Sequence, residues 1–214
     1  MDGDWICVSG VGLCFKANRV LDDVSASFEK GKIHGIIGRN GSGKTVLMKI
    51  ICGFLPPDTG NVSIGGEIVG VDREFPRDLG ILIEAPSFLP SVSGIRNLMM
   101  IAAIRNECKK EALQGIMERV GLDPKNRKWV SKYSMGMKQR LGIAQAIMED
   151  PDLLILDEPM NGLDNQGVSD MRSLFLELKA RGKTILLASH NREDIETQGA
   201  FLQSQTPAKW TRVR

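Results

Sequence analysis

Three short stretches carry residues able to hold a phosphate chain and attack it. The first is Gly38-Arg39-Asn40-Gly41-Ser42-Gly43-Lys44-Thr45, which has the spacing G-x-x-x-x-G-K-[ST]. Glycine at 38, 41 and 43 lets the backbone curl until its N–H groups face an anion. A helix that begins there and runs on through Val46 adds its positive N-terminal end. Lys44 has the reach to meet β- and γ-phosphates, and the Thr45 hydroxyl suits Mg²⁺. The second stretch, "LLILDEP", is an apolar run ending in Asp157 and Glu158. Carboxylates at the C-terminal end of a parallel strand sit where such sheets bind ligands. Asp157 suits the metal, and Glu158 can polarise a water. The third stretch, "TILLASH", ends in His190, which can hydrogen-bond a γ-phosphate or the attacking water. Read singly, these are a glycine-rich turn, an acidic strand cap and a structural histidine. Together they favour nucleotide chemistry. The other histidine, His34, lies within the strand before the loop and reads as structural.

These residues need a frame. "KIHGIIG", "LGILIE", "LLILDEP" and "TILLASH" are short continuous apolar runs, the pattern of strands buried on both faces. Helical stretches alternate with them: "KTVLMKIICGF", closed by Gly53, and "GVSDMRSLFLELKARG". Residues 5–28 alternate instead, with Val20, Val24, Ala26 and Phe28 on one face. "NVSIGGEIV" reads as a hairpin of short strands. From about Ser93 to Met148 the pattern is helical, as an insertion between two halves of the core. The expected class is α/β, a mostly parallel sheet with an N-terminal antiparallel region and an inserted helical subdomain.

Composition narrows the field. Charged residues make up 25% of the chain and the net charge is +2, too near zero to argue for nucleic acid or an anionic surface. No apolar run approaches the ~18 residues of a membrane span. "MDGDWICVSG" lacks a basic and then apolar leader, so no secretory signal is expected. Cys7, Cys14, Cys52 and Cys108 form no CxxC pair. They fit buried free thiols in a reducing cytosol rather than a zinc site.

One stretch, "SKYSMGMKQR", has no carboxylate, histidine or cysteine, so it can do no acid–base or metal chemistry alone. By itself it reads as an N-capped helix. Its position before "LLILDEP" completes a resemblance: the chain resembles the nucleotide-binding subunit of ATP-binding cassette (ABC) transporters over roughly residues 5–196. The resemblance implies a RecA-like P-loop NTPase core at 1–88 and 150–196. It also implies a helical subdomain at about 89–149, and leaves 197–214 as an atypical tail. It makes Phe15 the adenine-stacking aromatic and Gly38–Thr45 the Walker A loop. "LLILDE" becomes Walker B with Glu158 as general base, and His190 the switch histidine. "NGLD", ending in Asp164, becomes the D-loop. "YSMGM" stands where the family signature, usually LSGGQ, binds the γ-phosphate of ATP held by a second subunit, through Ser134, Met135, Gly136 and Met137. Cofactors are then ATP and Mg²⁺, the latter held through Thr45, Asp157 and Glu84.

Three departures stand out. Tyr133, Met135 and Met137 differ from the common signature. Glu84 replaces the usual Gln. With "APSFLP" it is similar to ATPase subunits of bacitracin- and lantibiotic-type peptide export and immunity systems. After "ASHNREDIE" the tail "TQGAFLQSQTPAKWTRVR" is polar and shows no clear strand pattern. The implied function is ATP hydrolysis powering a separate membrane-spanning permease, in the export direction. The chain would work as a homodimer or with a paired ATPase subunit on the cytoplasmic face of a bacterial membrane. The alternative is an ABC-type nucleotide-binding protein that regulates or scaffolds with little turnover.

Overall fold

The computed structural model describes the backbone of residues 4–105, 109–190, 201–206 and 209–213, and the side chains of 4–104 and 109–190. Cys108 and residues 191–200 lie outside the described residues. A six-stranded sheet forms the centre. Its β3 (Ile33–Ile37), β6 (Leu79–Leu82), β7 (Leu153–Asp157), β8 (Thr184–Ser189) and β9 (Phe201–Thr206) are joined in parallel, and β10 (Lys209–Val213) runs antiparallel at the edge. The spatial order is β10-β9-β3-β8-β7-β6. β3, β7 and β8 are buried at every position, because both faces are covered. Leu154, Leu156, Ile185 and Leu187 pack toward one core. Leu153, Ile155, Leu186 and Ala188 pack toward the other.

The first core is closed by α2 (Gly94–Arg105), α3 (Lys110–Arg119), α4 (Met135–Ile147) and α5 (Asn165–Ala180). The second is closed by α1 (Lys44–Ile51) and an antiparallel sheet in the order β2-β1-β4-β5. That sheet comprises β1 (Asp4–Phe15), β2 (Asn18–Glu29), β4 (Thr59–Ile64) and β5 (Glu67–Ile68). The hairpin expected in "NVSIGGEIV" is β4–β5. Gly65 and Gly66 turn it with φ 60° and 87°, values that a two-residue turn of this hand requires. Helix α1 ends on Gly53 at φ 80°. Its N–H donates to Ile50 O and that of Phe54 to Lys49 O, which satisfies carbonyls the last turn leaves open.

Three readings are corrected. On β2 Val24, Ala26 and Phe28 pack on the second core as expected, Ala26 partly buried, but ahead of them Leu21 is the deeply buried residue and Val20 only partly so. The pairs Leu13↔Leu21 and Val11↔Val24 leave an extra residue on β2. Asp23 sits there at φ 51°, so a bulge shifts the alternation by one. Cys14 is exposed, whereas Cys52 is buried as expected. The polar tail also contains strands: β9 pairs with β3 through Gly35, Ile36 and Ile37, and β10 pairs with β9. Sheet hydrogen bonds come from the backbone, so a polar sequence can extend a sheet without an apolar signal.

Candidate nucleotide site

The parallel strands β3, β8 and β7 are neighbours, so their C-terminal ends open on one edge. The phosphate loop leaves β3 there. Gly41 and Gly43 take φ 78° and 94°, the left-handed region that glycine enters without strain. A Cβ on Gly43 would also stand 3.1 Å from the Val20 carbonyl and 3.0 Å from the Leu21 side chain. The start of β2 therefore presses on the loop. The same hairpin presents Phe15 at its tip, paired with Asn18 and 49% exposed.

Lys44 opens α1 and is buried. Its ammonium donates to Gly38 O at 2.7 Å and Arg39 O at 3.3 Å, and stands 3.4 Å from Glu158 Oε1. Next to it, Thr45 Oγ1 donates to Asp157 Oδ2 at 2.5 Å. Across the edge, His190 Nδ1 lies 2.8 Å from Glu158 Oε2. Glu158 therefore bridges the loop lysine and the histidine that follows β8. Its backbone takes φ 49°, uncommon for a residue with a side chain. Asp157 is held above the usual carboxylate range, first by burial and then by the Glu158 charge, with the Thr45 hydrogen bond opposing.

Buried oxygens mark what the site can hold. Ser42 Oγ, Asp157 Oδ1 and Glu158 Oε1 are buried without a hydrogen-bond partner. With Thr45 they form a hard-oxygen set beside a loop of N–H donors, which fits Mg²⁺ and phosphate. Among the described residues no cluster of three His, Cys, Asp or Glu side chains is placed to cage a metal. Mg²⁺ commonly uses one or two carboxylates and takes its other oxygens from substrate phosphate and water.

Other expected residues fall elsewhere. Glu84, at φ 63°, forms an ion pair with Lys49 of α1 rather than a contact with Thr45 or Asp157. Ser134 is the N-cap of α4, and its hydroxyl accepts from Met137 N at 3.2 Å. Gly136 faces the Gly162 carbonyl, only 2.8 Å from where a Cβ would stand. Asp164 caps α5, accepting from Gly167 N at 2.8 Å. Among the described residues no hydrogen bond joins Ser134 to the loop Gly38–Thr45. His34, as expected, is buried, with Nε2 2.9 Å from Glu29 O. Two residues escaped sequence reasoning: Lys49, and Gln139, whose Nε2 donates to Glu158 O at 3.0 Å. A signal existed for Gln139, since it stands four residues before Ile143 on the buried side of α4.

Residues 21–161 match the sequence model of the family described as ABC transporter. The chain belongs to that family. It is of the family's ATP-binding, ATPase type. It is 44% identical over 180 residues to the ABC transporter ATP-binding protein YybJ of Bacillus subtilis, covering 84% of this chain and 83% of YybJ. It is 40% identical to the bacitracin transport ATP-binding protein BcrA of Bacillus licheniformis, over 85% of this chain but only 60% of that protein. It is 34% identical to the lantibiotic transport ATP-binding protein SrtF of Streptococcus pyogenes, over 86% and 79% of the two chains. The solved structure of an ATP-binding subunit of an ABC transporter superposes with a TM-score of 0.82 at 27% identity, over 93% of this chain and 85% of that one. CbiO1 from Clostridium perfringens, part of the cbiONQ complex, shares the fold with a TM-score of 0.78 at 22% identity, over 94% and 85% of the two chains. Among the described residues of this ABC ATPase no helix is long and apolar enough to cross a membrane.

Proposed function

We propose that this ABC ATPase is the motor of a peptide or drug exporter, working in pairs beneath a membrane-spanning permease on the cytoplasmic face of the membrane. The observation that carries the catalytic part is the meeting of Lys44, Glu158 and His190 at one sheet edge. The loop N–H groups from Gly38 to Gly43 and the start of α1 receive the β- and γ-phosphates. Arg39, Asn40, Ser42 and Val46 line that cradle. Lys44 brings a buried cation to the phosphates. Phe15 offers an exposed ring face to adenine.

Glu158 takes the proton of the attacking water as general base. His190, bonded to the same carboxylate, holds it in line. Thr45 and Asp157 would hold Mg²⁺, and the bound ion neutralises charge on the β- and γ-oxygens. Glu84 reaches that ion only if its pair with Lys49 opens. The seat for the far side of the γ-phosphate comes from a second copy: the Ser134 hydroxyl and the N–H groups of Met135, Gly136 and Met137 at the start of α4. Asp164 stands near that junction. Export of an antimicrobial peptide is favoured by the likeness to relatives named for bacitracin and lantibiotic transport, together with Glu84 and "APSFLP".

The test of the motor is Glu158→Gln. ATP affinity should hold, while hydrolysis falls by about 10²–10⁴-fold, the span of general-base catalysis. Full turnover in a folded Glu158→Gln protein would remove Glu158 from that role.

A further inference from the structure

We infer that Gln139 positions Glu158, and so ties the signature helix of each chain to that chain's own hydrolytic site. The inference rests on the reading above, in which Glu158 is the base and Ser134 serves the partner's nucleotide. Gln139 lies in the second turn of α4, five residues after the N-cap Ser134, and is 8% exposed. The buried side of this helix is otherwise filled by Leu141, Ile143, Ala144 and Ile147. A buried amide is unfavourable in such company unless its hydrogen bonds are made. The bond it makes is to the main chain of the base: Nε2 donates to Glu158 O at 3.0 Å.

That carbonyl also accepts from Asn161 N at 3.0 Å, and Glu158 N donates to Ala188 O at 2.9 Å. The peptide groups on both sides of Glu158 are thus tied, one to β8 and one to α4. Such ties are what a side-chain-bearing residue at φ 49° requires, because that conformation persists only where the surroundings over-determine it. Displacing the peptide after Glu158 would shift the Cα that carries the carboxylate standing between Lys44 and His190. Gln139 fixes that peptide from one side.

The same end of α4 grips the loop that follows. Met135 covers Gly162 so closely that a Cβ on Gly162 would stand 2.4 Å from the Met135 Cε. Gly136 in the same turn also approaches the Gly162 carbonyl, which lies 2.8 Å from where a Cβ would stand, so a shift of the turn that carries Ser134 bears on both the Glu158 carbonyl and the loop ahead of Asp164. Engagement of a partner's phosphate by Ser134 reaches the local base through Gln139. Hydrolysis at one site then depends on how the other is filled.

The test is a tandem of two full chains joined by a flexible linker. Glu158→Gln in the second half leaves one hydrolysing site, built from Lys44 and Glu158 of the first half and Ser134 of the second. Gln139→Met, similar in shape but with no donor, is placed in either half, and single-turnover hydrolysis is measured. In the first half it should lower the rate constant about tenfold, the weight of one buried hydrogen bond, with ATP affinity unchanged. In the second half the loss should be at least fivefold smaller. Equal losses, a larger loss in the second half, or no loss in either would overturn the proposal, because Gln139 would then serve the signature, the fold or nothing. A tandem with Glu158→Gln in both halves that still hydrolyses at full rate would instead sink the reading of Glu158 as base. If melting shows that Met is not tolerated, Gln139→Leu, which is smaller and also has no donor, goes through the same placements.

Discussion

Asp157 illustrates how a residue suited to binding works against the fold that carries it. Burial disfavours its charged form, Glu158 adds a like charge, and only the Thr45 hydroxyl and the Lys44 ammonium oppose. Its folded pKa therefore lies above the ordinary value. In the window above that ordinary value the folded state binds more protons than the unfolded chain, so this carboxylate's contribution falls as pH rises. At neutral pH it destabilises. Asp157→Asn keeps the shape and removes the charge. In nucleotide-free protein at pH 7 it should raise Tm, by about 2–4 °C for each kcal/mol relieved, and the gain should shrink toward pH 4. Thermal melts across that range read the effect directly. The same variant should lose Mg²⁺-dependent hydrolysis, a trade of function for stability. Lys44 presents the opposite case. It is a buried cation satisfied by two loop carbonyls and faced by Glu158. Lys44→Ala removes the fixed charge on the phosphates, and calorimetry should show ATP affinity lower by about 100-fold or more. Unchanged affinity in a folded variant would mean that the glycine loop alone carries binding.

Among the elements, β9 changes the expectation most. It lies beside β3, the strand that delivers the phosphate loop, and pairs with Gly35, Ile36 and Ile37. β10 runs close to β2, whose start presses on Gly43. Removing residues 200–214 would strip one side of β3 of its sheet hydrogen bonds just before the loop. Buried backbone groups left without partners are costly. The truncated protein should melt lower and bind ATP more weakly, and both effects should appear together in a melt and a titration. Wild-type affinity after truncation would show that β8 alone fixes β3. The tail is hard to read because β9 is recognised by its backbone, while "FLQSQT" offers only two apolar residues before turning polar. The strands "IHGII", "LLILD" and "TILLAS" were plain, since burial on both faces demands an apolar residue at nearly every position. Gly38–Thr45 is plain because its glycines, Lys44 and Thr45 each answer a stated need of a phosphate site at fixed spacing. The pairing of Glu84 with Lys49, and of Gln139 with the Glu158 carbonyl, joins residues far apart in sequence. No local pattern announces such contacts; only packing brings them together.

At the scale of the whole molecule, the proposed function divides one chain into two unlike half-sites. The first is the edge where Lys44, Thr45, Asp157, Glu158 and His190 meet. The second is the turn Ser134–Met137, where a helix begins behind a serine cap. On the proposed pairing, a γ-phosphate seated between them is shared by two chains. Ser134→Arg should therefore leave ATP binding to a single chain nearly intact, because it does not touch the first half-site. It should block pairing, because a bulky cation would fill the seat. In a Glu158→Gln background, where hydrolysis is slow and a closed pair persists, two defective chains can be mixed. One carries Lys44→Ala, with a sound signature turn and no grip on ATP. The other carries Ser134→Arg and binds ATP behind a spoiled turn. Only the mixed pair can assemble one complete site, from the loop of the second chain and the turn of the first. Size-exclusion chromatography with ATP and Mg²⁺ should show dimer in the mixture and monomer in each variant alone. A linked pair with one intact site serves as the control for closure that needs both sites filled. Dimer formation by the Ser134→Arg chain alone would show that the Ser134 turn takes no part in the shared site.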